Sequence, residues 1–274
     1  MQCIITALKA ESDPFIQYLG LKRDKAFNFP YFINNDIGIA LIGVGVGRKN
    51  IRARIHKFFR SFDDTVIQFI NIGVAGGKKN QTRIGQLFLI NKIIDDSTNQ
   101  TYYPDILIDH PLIENSITTV QRGVYDGGGQ YDSLVDMEAS EIFSVCSKIV
   151  PIHNIAIIKL VSDHMETHES EFDHDMISSL LMGKMDKITY FIDKYKLLGR
   201  INGPILSKTD MDWITHNKEQ YLLTVTQVNQ LMNTVKSYRL HNSSISLPEI
   251  NAKRPMTKVD QKNIFRAIRE KLET

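Results

Sequence analysis

Four features of this 274-residue chain stand where apolar, strand-like runs end. Glu11 follows residues 3–8, Gly73-Val74-Ala75-Gly76-Gly77 follows residues 66–72, Glu138 follows Leu134 and Val135, and Asp163 follows residues 155–161. Open α/β sheets form their ligand crevices beyond such strand ends, so three carboxylates and a glycine turn are placed to converge. After Glu138, the residues Ala139, Ile142, Phe143 and Cys146 recur at helical spacing. A carboxylate where a strand turns into a helix can face a pocket and accept hydrogen bonds from a sugar diol. The helix dipole favours an acid at the same place without any ligand. Glu11 and Asp163 have equally plain readings, as a first-turn acid and a loop cap.

The elements that must hold these residues alternate between strand and helix, which predicts an α/β protein. Asp13 and Pro14 read as an N-cap and first helical residue, opening a short helix through Phe15, Ile16 and Leu19. Residues 31–33 and 37–42 predict a hairpin around Asn34-Asn35-Asp36. The run Gly43-Val44-Gly45-Val46-Gly47 leads into a helix with Ile51, Ile55, Phe58 and Phe59 on one face. Residues 84–94 are extended and residues 95–133 are loop-rich. One amphipathic helix then carries Ile177, Leu181, Ile188, Phe191 and Tyr195, with Gly199 as its C-cap.

After Asn202-Gly203-Pro204 the character changes. A helix presents Val228, Leu231, Met232, Val235 and Tyr238, residues 241–255 read as linker, and a last helix opens on Thr257 and Asp260 as a capping-box-like pair. It presents Ile264, Phe265, Ile268 and Leu272. The chain therefore divides into an α/β domain, 1–199, and a helical C-terminal extension, 200–274, whose apolar stripes are expected to pack on the main domain.

Composition narrows the function classes. At 42% hydrophobic and 23% charged, with net charge +2, the chain is an ordinary globular protein, and nucleic acid is not an expected partner. Residues 201–274 hold 11 Lys/Arg against 7 Asp/Glu, a mild basic bias that reads as a solvated surface. Cys3 and Cys146 lie on apolar segments, with no CxxC spacing for zinc and no disulfide framework. No basic leader opens the chain and no apolar run approaches ~18 residues. The expected location is the cytoplasm, with no membrane partner.

Five short segments carry a resemblance in order along the chain. They are Ile4-Ile5-Thr6-Ala7-Leu8-Lys9-Ala10-Glu11, the glycine run at 43–47, Asn71 with Ile72 and the glycine turn, Val135-Asp136-Met137-Glu138-Ala139, and Val161-Ser162-Asp163-His164. Together they resemble the nucleoside phosphorylase superfamily, and most of all its methylthioadenosine/S-adenosylhomocysteine nucleosidases. The likeness spans residues 1–198 and leaves 200–274 outside. It implies a three-layer αβα sandwich with a mixed central sheet, a small-molecule purine nucleoside as substrate, no cofactor, and a homodimer whose neighbour helps close the 5′ side of the pocket.

The resemblance also implies roles. Cleaving an N-glycosidic bond builds positive charge on the ribose and negative charge on the departing base. Asp163 would carry a proton and share it with purine N7, general acid help worth ~10²–10⁴-fold. Glu11 would polarise the attacking water. Glu138 would hold the ribose hydroxyls, Met137 would pack on the sugar, and Asp136 would support the helix start. Val74, Ala75, Gly76 and Ser162 would lie beside the substrate, Val74 replacing the serine common in the nucleosidases. Lys159 stands where those enzymes often carry arginine. The segment between Gly77 and Val135, shorter than usual, would supply base contacts through Val124 and Tyr125.

Water or phosphate as nucleophile turns on arginines, which phosphate sites favour. Asn71 stands where hexameric purine phosphorylases place an arginine, and Arg48 is the one remaining candidate, so water is favoured. A phosphate-dependent phosphorylase is the first alternative and a non-catalytic nucleoside-binding or interaction module the second. His164 and His168, with Asp173, His174 and Asp175 nearby, lack the HExxH pattern, so no metal is expected. The 43–47 run is GxGxG without a following ribose-binding acid, which argues against a nicotinamide cofactor.

Overall fold

Alternate residues of a strand bury on opposite faces of its sheet, and the central strands here separate two apolar clusters in that way. The computed structural model describes residues 1–61, 67–166, 173–201, 206–242 and 245–273. β1 (Gln2–Thr6) sends Cys3 and Ile5 to one cluster and Ile4 to the other. After α1 (Lys9–Tyr18) come the short β2 (Lys22–Arg23), then β3 (Tyr31–Asn34) and β4 (Ile39–Gly43), paired antiparallel as the hairpin reading expects. α2 (Arg48–Phe59) buries Ile51, Ile55 and Phe58, and β5 (Gln68–Gly76) runs parallel to β1.

β6 (Leu87–Asp95), β7 (Gln100–Tyr102), β8 (Ile113–Thr119) and β9 (Leu134–Asp136) follow, then α3 (Ala139–Cys146), β10 (Ile155–Asp163), α4 (His174–Met182) and α5 (Met185–Ile201). The strand order β10-β6-β8-β9-β5-β1-β4-β3-β2 is closed on itself by an added β10–β5 pairing. Parallel pairs, such as β10 with β5, mix with antiparallel ones, such as β10 with β6. α2 and α3 contribute to one apolar cluster and α1, α4 and α5 to the other, so helices cover both faces of this mixed sheet.

Several expectations need correction. α1 begins at Lys9, not after Asp13, because Glu11 reaches back to the donors at the N-cap: its Oε2 accepts Ala7 N–H at 2.8 Å and Leu8 N–H at 2.9 Å. Pro14 is therefore inside the helix and lacks the N–H that the Ala10 carbonyl needs. Ser178 of α4 supplies it instead, its Oγ donating to Ala10 O at 2.8 Å. The glycine turn is strand through Gly76, and only Gly77 leaves the ladder. Residues 95–133, read as loop, include β7 and β8; the pairs Ile117 with Leu134 and Thr119 with Asp136 set β9 in register. The single helix through Tyr195 is two helices broken at Gly183, and α5 continues past Gly199 to Ile201. Val66 and the turn at 202–204 lie outside the described residues.

The chain divides into two compact units, Met1–Ile201 and Asn202–Thr274. The second holds α6 (Lys208–Gln220), which the sequence reading missed, α7 (Val225–His241) and α8 (Lys258–Glu273). Their apolar stripes meet one another: Ile214, Tyr221, Leu231, Val235, Phe265, Ile268 and Leu272 form one buried cluster. Thr257 and Asp260 make the expected reciprocal cap, at 2.9 and 3.1 Å. Residues 245–255 are irregular but held: Trp213 Nε1 donates to Pro248 O at 3.2 Å and Tyr221 OH to Ile250 O at 2.6 Å.

Candidate active site

Three strand ends and one helix start meet at a cavity of about 140 Å³ in the first unit. β5 contributes Val74, Ala75 and Gly76, residues small enough to leave room; β9 and the start of α3 contribute Asp136, Met137 and Glu138; β10 contributes Ser162 and Asp163. Val124 and Tyr125 close one side and Glu11 stands at another. The catalytic and substrate-binding candidates Glu11, Val74, Ala75, Gly76, Val124, Tyr125, Met137, Glu138, Ser162 and Asp163 therefore reach one place.

Each carboxylate is fixed by a different device. Glu11 is buried, and besides its two donors from the residues just before α1 its Oε1 accepts Val74 N–H at 2.9 Å, tying the helix to β5. This bond requires glycine next door, since a Cβ on Gly73 would lie 2.7 Å from that Oε1. Asp163 owes its placement to a β-bulge. Val161 pairs with Ala75 and Asp163 with Gly76, leaving Ser162 as the extra residue. Strict alternation would turn consecutive side chains to opposite faces; the bulge lets both line the cavity. Asp163 Oδ2 accepts from Ser162 Oγ at 2.8 Å and Oδ1 from Met165 N–H at 2.6 Å.

Glu138 is half-buried at the start of α3 and sits among charges. Burial first, then the negative Asp136 and Glu11, push its carboxyl up to about 8, against the opposing pull of Lys159. Lys159 is buried under the site, its Nζ 2.8 Å from Asp136 Oδ2. Burial works to lower this ammonium, but Asp136, Glu138 and Glu11 hold it above the ordinary lysine value. Asp136 is the supporting carboxylate: it also accepts Ala139 N–H at 2.8 Å and Thr119 Oγ1 at 2.7 Å.

Arg48 is placed elsewhere. Its Nη2 lies 2.7 Å from Asp95 Oδ2 and 3.0 Å from Ser97 Oγ. Burial would raise the Asp95 carboxyl, yet hydrogen bonds from Ser97, Ser140 and Arg48 hold it well below the usual carboxylate range. Among the described residues, no arginine or lysine lines the cavity. His164 Nε2 lies 3.2 Å from Thr82 O, and His168 is outside the described residues. No metal-binding group of three or more His, Cys, Asp or Glu occurs among the described residues.

The fold of the first unit has counterparts among solved structures. An Arabidopsis thaliana 5′-methylthioadenosine nucleosidase superposes with TM-score 0.56 at 18% identity, covering 70% of this chain and 95% of that one. A Campylobacter jejuni 5′-methylthioadenosine/S-adenosylhomocysteine nucleosidase gives 0.56 at 17%, covering 70% and 98%. A Chlamydia trachomatis nucleosidase bound to MTA gives 0.53 at 19%, covering 69% and 97%. The fold is that of the methylthioadenosine nucleosidases. No family model matches the sequence, and no curated relative does either.

Within this nucleosidase fold, the cavity has members that sequence reasoning did not assign to the site. Leu8, Val46, Val120, Met165 and Ile177 add an apolar wall. Val46 belongs to the glycine run, which was a usable signal. Met165 was not legible: it takes φ 59°, and its side chain occupies the space a Cβ on Gly76 or Gly128 would need, at 2.5 and 2.4 Å.

Proposed function

We propose that this chain hydrolyses the N-glycosidic bond of a purine nucleoside, an adenosine-type one such as methylthioadenosine or S-adenosylhomocysteine. The observation that carries the reading is the meeting of Glu11, Glu138 and Asp163 in one cavity floored by Val74, Ala75 and Gly76. Asp163 is the general acid toward the departing purine, oriented by Ser162 and the Met165 N–H. Glu11 is the acceptor for the attacking water: Oε2 takes two backbone donors, while Oε1 takes one and keeps a lone pair. Glu138 is the ribose clamp and Met137 packs on the sugar. Val124, Tyr125 and Met165 give the base an apolar enclosure, and Leu8, Val46 and Ile177 do the same for the remaining wall.

The engagement of Arg48 with Asp95 supports water over phosphate as nucleophile, because it withdraws the candidate anion-binding cation. The same proposal includes a cytoplasmic homodimer, and light scattering of the pure chain should return twice the monomer mass. The deciding assay incubates the protein with a purine nucleoside panel, with and without phosphate, and separates the products by chromatography. Free base and free ribose in both conditions are expected. Base release only with phosphate, alongside ribose 1-phosphate, would replace the hydrolase with a phosphorylase; binding without turnover would reject both. Asp163→Asn should lower turnover of purine nucleosides by ~10²–10⁴-fold while retaining binding, and wild-type turnover in that variant would remove Asp163 as the acid.

A further inference from the structure

The helical unit carries a groove of about 600 Å³ between the start of α7 and the length of α8. Lys258, Lys262, Arg266 and Arg269 line it, at positions i, i+4, i+8 and i+11 of α8, and all four are exposed. At about 100° per residue this spacing confines them to one stripe, with successive cations roughly 4–6 Å apart along the axis. Among the described residues that line the groove, Glu270 is the one carboxylate. The nearest acid in sequence, Asp260, is committed to the cap of α8. A line of cations suits a linear polyanion better than a single small anion.

The facing wall is neutral and polar. α7 exposes Thr226, Asn229, Gln230 and Asn233, which at i, i+3, i+4 and i+7 share one face. Thr226 and Gln230 line the groove itself. Asn, Gln and Thr can hydrogen-bond base edges or phosphates, and a line of Lys and Arg supplies the charge that phosphates require. The connection is also of a recurring kind. α6 ends at Gln220, Leu222 takes φ 53° in the turn, and Thr224 caps α7 through the Gln227 N–H, so the two helices are joined by a turn of helix-turn-helix length. Among the described residues that line the groove, Phe265 is the only aromatic and is itself buried, so it offers no pocket for the apolar anchors that a docked peptide helix needs.

We propose that this groove binds nucleic acid, the α8 stripe holding the phosphate backbone and the α7 face lying toward the bases. This reverses the reading of the basic bias as mere solvated surface, and it is independent of the proposed hydrolysis. The test uses the full-length chain and fluorescence anisotropy with labelled duplex DNA, duplex RNA of the same sequence, and polyglutamate of matched charge. Saturable duplex binding is expected at about 50 mM salt, weakening ~10²-fold by about 200 mM if four phosphates are neutralised. The DNA and RNA arms identify which backbone is preferred. Charge reversal in K262E/R266E should weaken duplex binding at least ~10-fold and lower the log–log salt slope by about two, without changing base release or thermal stability. No saturable binding at low salt, an unaltered slope in the variant, or tighter capture of polyglutamate than of either duplex would overturn the proposal. The last result would instead assign the groove to an acidic protein segment.

Discussion

Glu138 is the residue at which protonation and binding meet. In the proposed role it accepts hydrogen bonds from two ribose hydroxyls, which requires the carboxylate. Its carboxyl is pushed up to about 8 by burial and by the charges of Asp136 and Glu11, so in the empty cavity near pH 7 it mostly holds its proton. Binding then has to expel that proton. KM for a nucleoside should fall as pH rises toward and through about 8, while kcat follows other groups. Calorimetry at pH 7 in two buffers of different ionisation heat should show proton release on binding, vanishing well above pH 8. Equal heats at pH 7 would deny the clamp. Glu11, Glu138 and Asp163 were legible because each sits at the end of an apolar run. The roles of their partners were not, since nothing in the sequence places Lys159 against Asp136, or Arg48 against Asp95.

At the scale of elements, alternation and helical spacing located most of the strands and helices, while their ends depended on partners distant in sequence. α1 illustrates the difference. Asp13-Pro14 is a good local start signal, yet the helix extends a turn earlier because Glu11 caps it and Ser178 offsets the donor that Pro14 lacks. Ser178→Ala should therefore cost about 1–3 kcal/mol by leaving the Ala10 carbonyl unsatisfied. In a Pro14→Ala background, where the helix regains its own N–H, the same change should cost about 1 kcal/mol less. Denaturant melts of the four proteins in this cycle measure the difference, and strict additivity would deny the exchange. β5 makes a second case. Gly73→Ala places a methyl against Glu11 Oε1, a 2.7 Å approach, so Glu11 must shift. Displacement of a reacting group by about 1 Å can cost ~10² in rate, and kcat should fall by about that factor with KM nearly unchanged. Wild-type kcat in this variant would separate Glu11 from the chemistry.

At the scale of the whole molecule, the sequence reading placed a change of character near residue 200 and assigned the following apolar stripes to the main domain. Periodicity says that a stripe is buried, not against what. In the second unit the stripes of α6, α7 and α8 bury one another, and a buried ion pair completes the interior. Arg239 grips both oxygens of Asp210, a residue 1% exposed, and also donates to the carbonyls of Asn242 and Ile245. Burial would raise the Asp210 carboxyl, but Arg239 and the cap at Ser207 hold it below its ordinary value. Removing one member of such a pair leaves an uncompensated buried charge, a loss of roughly 3–5 kcal/mol. A unit this small draws only about that much from its core, so Arg239→Met should unfold it near room temperature. Among the described residues, the buried cluster of the second unit is built from that unit's own side chains. In the full chain, the expected result is therefore loss of one of two transitions in a circular-dichroism melt, with base release unchanged. Duplex binding should disappear together with that transition. A single transition displaced as a whole, with base release falling alongside it, would mean that the two units fold as one.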